Sequence, residues 1–324
     1  MLKVKDIVVR TVRKVNVAVI GVGAWGRNHV RIYKELNNSE LISICDINEV
    51  KAREVAERYG VSWTTDYTEI LDNKEIEAIS ICTPASTHVK IALDAIRSGK
   101  HVLVEKPMGG DVRKADMIVK EANKRNVLIY VGFVERFNPG VRKVRELIQK
   151  GEIGGIILIS SRRFSTWSGR VLDIGVIGDT AIHDFDLFRY IFNEDPIEVY
   201  AVVGRVKHRY EDYAEIFLRF KGGMVGIVEA NWLFPKKIRE MMVIGDDGTL
   251  SLNFLNQRVI VEKAGTTYLP HIDKVEPLKS ELNSFINCIL GNSKAEITGY
   301  DGVRALKIVE AALRSAKEDR PVRL

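Results

Sequence analysis

Short, nearly unbroken apolar runs alternate with helical-period segments over the first 130 residues. Val15–Ile20, Leu41–Cys45, Ala78–Cys82, His101–Val104 and Val127–Val131 read as buried strands. Between them, residues 25–36, 49–59, 88–98 and 111–125 space their apolar positions as amphipathic helices, and Ile70-Leu71 forms a shorter apolar step. Strands that are apolar throughout and joined by helices of ten or more residues predict a parallel sheet covered on both faces. The pattern changes near Gly132. After a helix at 139–150, strands dominate at 155–163, 197–207, 213–221, 224–232, 239–244, 249–252 and 257–263, with one helix at 179–192 and a helical tail at 276–290 and 301–318. Lys221-Gly222-Gly223-Met224 and Asp246-Asp247-Gly248 read as hairpin turns.

The fold expectation is therefore α/β. An N-terminal doubly wound parallel sheet spans residues 1–132, with 1–14 as an extension. A C-terminal α+β part with a large, mostly antiparallel open sheet spans residues 133–324, its last helix packing back on the first part. A chain of 324 residues with 46% apolar and 28% charged residues can bury such cores. The net charge of +6 is a mild excess without a long like-charge run, which argues against nucleic acid and suits an anionic substrate. Cys45, Cys82 and Cys288 have no metal or redox spacing, so reduced thiols, a cytoplasmic location and no metal site are expected. No apolar run is long enough for a membrane span, and the charged first 15 residues do not read as a signal peptide.

Candidate chemistry begins at Gly21-Val-Gly23-Ala24-Trp25-Gly26. The G-x-G-x-x-G pattern is weak alone, but here it follows a strand, opens a helix and precedes Asp46 by twenty residues from its last glycine. Gly21 permits the tight turn, Gly23 lets backbone approach a pyrophosphate, and Gly26 lets helix and strand pack. The helix N-terminus offers free N–H groups to phosphates. Asp46 can accept from a ribose diol and would repel a 2′-phosphate, which favours NAD over NADP.

Two further features are ambiguous by themselves. Glu105-Lys106-Pro107 ends a strand where parallel sheets bind ligands, yet it also reads as a surface ion pair before a proline turn. Asp179 and His183 stand at i and i+4, on one face of a helix. His183 suits a general acid/base, with Asp179 holding a hydroxyl or the imidazole, but a capped helix start with a half-buried histidine is equally compatible.

Thr83-Pro84-Ala-Ser-Thr-His88, then Gly99-Lys-His-Val-Leu-Val-Glu105-Lys106-Pro107, then Val131-Gly-Phe-Val-Glu-Arg136-Phe-Asn138-Pro139, together with the glycine loop, resemble the Gfo/Idh/MocA oxidoreductase family. The resemblance covers the chain beyond about residue 14. It implies a Rossmann domain followed by an α/β domain whose open sheet forms a homodimer or homotetramer. It also implies a lysine, here Lys106, beside the nicotinamide, and cofactor contacts by Gly21, Gly23, Ala24, Trp25, Gly26, Asp46, Ile47, Thr83, Pro84, His88, Glu105 and Lys106. The family's D-x-G-x-H has Ala181 at its glycine, which leaves the Asp179–His183 spacing intact. The stretch from Arg170 to Asp184 is similar to that of the family's UDP-N-acetylglucosamine 3-dehydrogenases and related UDP-sugar 3-dehydrogenases.

The expected activity is NAD-dependent oxidation of a sugar secondary hydroxyl, with UDP-N-acetylglucosamine as first choice. Lys106, Asp179 and His183 are the catalytic candidates. Arg136, Asn138, Arg163 and Arg170 join Asp179 and His183 as substrate-binding candidates, since arginine forks suit diphosphates. Inositol or a free sugar, an NAD-dependent glycosidase, and a non-catalytic dinucleotide sensor are the alternatives.

Overall fold

A computed structural model describes residues 13–167, 169 and 173–324. The first half alternates β1 (Val15–Ile20), α1 (Gly26–Glu35), β2 (Ser39–Cys45), α2 (Glu49–Tyr59), β3 (Ser62–Thr64), α3 (Tyr67–Asp72), β4 (Ala78–Ile81), α4 (Ala85–Arg97), β5 (His101–Glu105), α5 (Val112–Arg125) and β6 (Ile129–Gly132). The six strands are parallel, in the order β3-β2-β1-β4-β5-β6. That order reverses direction between β1 and β4, which opens a crevice at the carboxyl ends of those strands. Val17, Val19, Ile79, Ile81, Val102 and Val104 are fully buried, as strands covered on both faces require. Side-chain caps define the helix starts: Asn48 accepts from Lys51 N before α2, and Asp111 accepts from Lys114 N before α5.

The second half contains α6 (Pro139–Gln149), β7 (Ile156–Thr166), α7 (Ile182–Phe192), β8 (Glu198–Gly204), β9 (Tyr213–Arg219), β10 (Val225–Asn231), β11 (Leu233–Gly245), β12 (Thr249–Asn253), β13 (Arg258–Lys263), β14 (Thr266–Tyr268), α8 (Pro277–Ile289), α9 (Gly299–Glu318) and β15 (Val322–Arg323). Its nine strands are ordered β14-β13-β12-β11-β7-β10-β9-β8-β15, all antiparallel except the central β7–β10 pair. Both expected glycine-containing turns join antiparallel neighbours, β9 to β10 and β11 to β12. One face of the sheet is packed by α6, α7 and α9, and Ala201, Ile216, Val228 and Val243 are buried there.

Two differences from the sequence pattern matter for the site. β11 starts at Leu233, six residues before the expected strand at 239, with its register to β7 broken between Leu233 and Ile238. Pro235 and two lysines interrupt the alternation there, so the pattern hides a bulged strand. The helix expected at 179–192 is α-helical only from Ile182; Asp179 falls instead in a π-helical turn, Ile177–Ala181, a widened turn often found at functional sites. α9 returns to the first half: Gly299 lies against Val119 and Ile129, and Gly302 against Val131 and Met108. Among the described residues, no helix is long and apolar enough to cross a membrane.

Candidate active site

The glycine loop lies at the β1–β4 crevice. Gly21 has φ +88°, and a Cβ there would meet the Cys82 carbonyl carbon at 2.8 Å, so only glycine fits. At Gly26 a Cβ would lie 1.9 Å from the Gly21 oxygen. Gly23 has nothing within 4 Å of that position, so its backbone remains approachable by a bulky anion. The Asp46 carboxylate is fixed by two backbone donors, Val22 N to Oδ2 and Asn48 N to Oδ1, each at 2.9 Å. It therefore braces the glycine loop while standing at the end of β2. Trp25 and Ile47 are exposed on either side, the latter at 94%. An open backbone cradle at a helix start with a fixed acid beside it fits a dinucleotide.

Two of the residues expected at the cofactor are turned away from it. His88 is buried, with Nδ1 2.8 Å from the Pro107 oxygen and Nε2 2.9 Å from the Thr83 oxygen. Burial pushes its pKa down. It braces the Thr83-Pro84 turn against the Lys106–Pro107 turn. Glu105 points into the core: its carboxylate lies over Gly132, where a Cβ would approach within 2.7 Å, and it pairs with buried His29 at 3.2 Å. Burial raises the Glu105 pKa, but His29, Trp25 and Lys106 together outweigh it and hold the group below its usual range. These contacts commit the Glu105 carboxylate to a partner within the first half. Thr83 and Pro84 do stand at the crevice, where the Thr83 and Thr87 hydroxyls lie 2.7 Å apart.

Lys106, the next residue, emerges at the C-terminal end of β5. Its Nζ donates to the Asp179 carbonyl at 2.6 Å and to Asp179 Oδ1 at 2.8 Å. The two residues are 73 positions apart and come from opposite halves of the chain. Lys106 is 12% exposed and Asp179 9% by side chain, so the pair is shielded but reachable. Asp179 lies in the π-turn, and His183 follows in the first turn of α7, half-buried. Trp232, at the start of the β11 hairpin, donates Nε1 to the Thr180 hydroxyl at 3.0 Å. Trp167 packs against Trp232 with the rings tilted, centroids 4.4 Å apart, and lies beside His208 at 5.7 Å. Asp173 accepts from Ser86 N at 2.8 Å, which ties the segment before α7 to the start of α4. Trp232 and His208 carry no motif, and their place here was not visible in the sequence.

The expected substrate arginines are mostly committed elsewhere. Arg136 is 5% exposed. Its Nε donates to Asp186 at 2.7 Å, its Nη2 to Asp301 at 2.9 Å and its Nη1 to the Glu296 oxygen at 3.0 Å. It fastens α7 to α9 rather than lining the cleft. Arg163 is 1% exposed, with Nε on Asp184 at 2.7 Å and Nη1 on Glu135 at 2.9 Å, and it rests on Phe254. Burial lifts the Asp184 carboxyl above the usual range even with Arg163 beside it. Asn138 is the N-cap of α6, accepting from Gly140 N at 3.0 Å and donating to the Phe254 oxygen at 3.2 Å. Arg136 and Asn138 are paired within the protein, and Arg163 is paired through Nε and Nη1, while its Nη2 is buried without a hydrogen-bond partner among the described residues. Arg170 lies outside the described residues. Among the described residues, no three His, Cys, Asp or Glu side chains gather as a metal site.

A Rossmann crevice with a lysine–aspartate pair at its mouth defines an NAD-dependent oxidoreductase. The family comparison agrees: residues 15–133 match the oxidoreductase family GFO_IDH_MocA, NAD-binding Rossmann fold, and residues 141–251 match a GFO/IDH/MocA C-terminal domain. The chain belongs to this oxidoreductase family. Among curated relatives, UDP-N-acetylglucosamine 3-dehydrogenase of Acidithiobacillus ferrooxidans is 29% identical over 91% of this chain and 94% of its own length. Myo-inositol 2-dehydrogenase of Thermotoga maritima is 28% identical over 95% of this chain and 98% of its own length. A solved structure of the Acidithiobacillus enzyme superposes with a TM-score of 0.86 at 27% identity, covering 94% of this chain and 98% of that one.

Proposed function

We propose that the protein oxidises a secondary hydroxyl of a sugar, and that C3 of UDP-N-acetylglucosamine is the position oxidised. The observation that carries the reading is the Lys106 ammonium held against Asp179 at the mouth of the Rossmann crevice. Gly23 and the N-terminus of α1 would hold the pyrophosphate, with Gly21 and Gly26 shaping the turn, and Asp46 would hold the ribose diol. When bound, NAD supplies the hydride acceptor. Lys106 donates to the substrate oxygen and stabilises the negative charge that develops there. His183 accepts the hydroxyl proton as general base. Asp179 fixes the ammonium and orients a neighbouring hydroxyl.

Relatives named for UDP-N-acetylglucosamine and for inositol match this chain to similar extents, so inositol is the second reading. The choice of UDP-sugar rests on the Arg170–Asp184 stretch. The same reading includes self-association through the outer face of the nine-stranded sheet. Tyr200, Phe217, Ile227 and Met242 lie in one cross-strand row there, and Tyr200, Phe217 and Met242 are exposed. Exposed apolar patches of this kind favour a partner surface.

The test is NADH formation with UDP-N-acetylglucosamine, its uronate and myo-inositol. Turnover with the first is expected, and Lys106→Met and His183→Ala should each reduce it by roughly 10²–10⁴-fold while NAD binding is kept. Near-normal turnover in both variants would refute the assigned roles.

A further inference from the structure

We propose that Arg239 is a substrate-binding residue that receives an anionic group carried by the sugar, a phosphate or a carboxylate, with Lys237 beside it. This inference rests on the sugar dehydrogenase reading and adds a specificity determinant to it.

The first support is placement. β11 opens at Leu233 beside Trp232, whose indole holds Thr180, the neighbour of Asp179. Strand alternation puts residues 239 and 241 on one face, and Arg239 is the cross-strand partner of Arg163. Arg163 and Met241 are buried on the helix-covered face, so Arg239 faces the same way, with exposed Lys237 two residues before it in the bulged stretch. Arg163 in turn holds Asp184, the neighbour of His183, at 2.7 Å, so Arg239 lies one strand across from the residue that engages the first turn of α7.

The second support is an incomplete charge arrangement. Every carboxylate near Arg239 is engaged by another group. Asp184 receives Ser161 and Arg163, Glu135 receives Arg163 and Asn138, and Asp179 receives Lys106. Arg239, half-buried, has no hydrogen bond or ion pair from its guanidinium among the described residues. Its like-charged partner across the strands adds repulsion. Burial and Arg163 push the Arg239 guanidinium below its ordinary value, and burial and Arg239 do the same to the Lys237 ammonium. Arg163, Arg239, Lys237 and Lys106 set four cations against three carboxylates, Glu135, Asp184 and Asp179. Removing cations from water without partners is costly, so a site built this way favours a bound anion. A planar guanidinium offers two parallel donors to a phosphate or carboxylate. No sequence motif marks Arg239, because its strand is broken by the bulge at 234–237.

The test is calorimetric titration of the NAD-saturated enzyme with inorganic pyrophosphate, UDP, D-glucuronate, N-acetylglucosamine and myo-inositol. Wild type, Arg239→Gln and Arg239→Lys are compared, with NAD affinity as the folding control. Arg239→Gln should weaken at least one anion by roughly 10–100-fold, as loss of a charged hydrogen bond requires. Arg239→Lys should restore part of that binding, and the neutral sugars should be unaffected. Pyrophosphate and UDP identify a phosphate source, and glucuronate identifies a carboxylate source. Anion binding unchanged in Arg239→Gln, no anion binding at all, or an equal loss for neutral sugars would overturn the assignment. Turnover separates this inference from the substrate reading. Arg239-dependent anion binding without turnover of UDP-N-acetylglucosamine would overturn the named substrate and keep Arg239. Turnover of UDP-N-acetylglucosamine at an unchanged KM in Arg239→Gln would do the reverse.

Discussion

Lys106 and Asp179 are joined by two hydrogen bonds, one to the carbonyl and one to the carboxylate, at 2.6 and 2.8 Å. The carbonyl bond orients the ammonium through the backbone of the π-turn. The carboxylate bond supplies charge. The two contributions are separable by substitution.

Asp179→Asn keeps the carbonyl bond and the side-chain volume and removes the charge. Turnover should fall by roughly 10²-fold or more, with the NAD dissociation constant within about threefold of wild type. Steady-state kinetics and NAD titration check this. A variant with full turnover would show that the carboxylate is dispensable.

Asp46 accepts two backbone N–H groups and is placed to take a ribose diol. Asp46→Ala removes both the diol acceptor and the charge that disfavours a 2′-phosphate. The ratio of kcat/KM for NAD to that for NADP should drop by roughly 10-fold or more, since a charged hydrogen bond contributes about 1.5–3 kcal/mol. Initial rates with each cofactor decide it, and an unchanged ratio would exclude Asp46 as the discriminating group.

Arg136 tests a structural role against a substrate role. Arg136→Met leaves Asp186 and Asp301 without their main partner in the interior. Breaking a buried pair from one side costs about 3–5 kcal/mol. Thermal melting should shift sharply downwards, while KM for the sugar in the surviving folded protein should stay near wild type. A raised KM with unchanged melting would return Arg136 to the substrate site.

Glu281 has a pH-dependent effect of defined sign. It is fully buried, neither carboxyl oxygen has a hydrogen-bond partner, and burial followed by Glu105 raises its pKa well above 4.5. The folded state therefore holds this proton more tightly than the unfolded chain does. Its contribution to stability is complete below about pH 4.5 and declines as pH rises towards the folded value. Glu281→Gln removes the titration. Melting of the variant relative to wild type should improve between pH 5 and pH 8. An equal difference at both pH values would contradict it.

Much of this protein was legible along the chain. Apolar runs separated by helical periods marked all but the shortest strand of the parallel sheet, because burial on both faces leaves few polar positions in a strand. The glycine loop and Asp46 were legible because tight turns and phosphate approach restrict residue type locally. Lys106, Asp179 and His183 were marked by short local patterns. The sequence could not tell Arg136, Arg163 and Asn138 from ligand-binding residues. A charged or amide side chain looks the same whether it meets a substrate or a buried partner 50 or 116 positions away. His88 and Glu105 were ambiguous for the same reason.

Residue spacing determined the strand and helix pattern of the two halves and the dinucleotide turn, since each depends on contacts within a few positions, and the family resemblance singled out Lys106, Asp179 and His183 as candidates. Tertiary structure decided which polar groups are used up inside the protein and which still face the cleft. Lys106 meeting Asp179, Arg163 sealed under Glu135, and Arg239 left unpaired on a bulged strand all depend on how two sheets are set against each other. Charge pairing acts through space, and no local pattern encodes it.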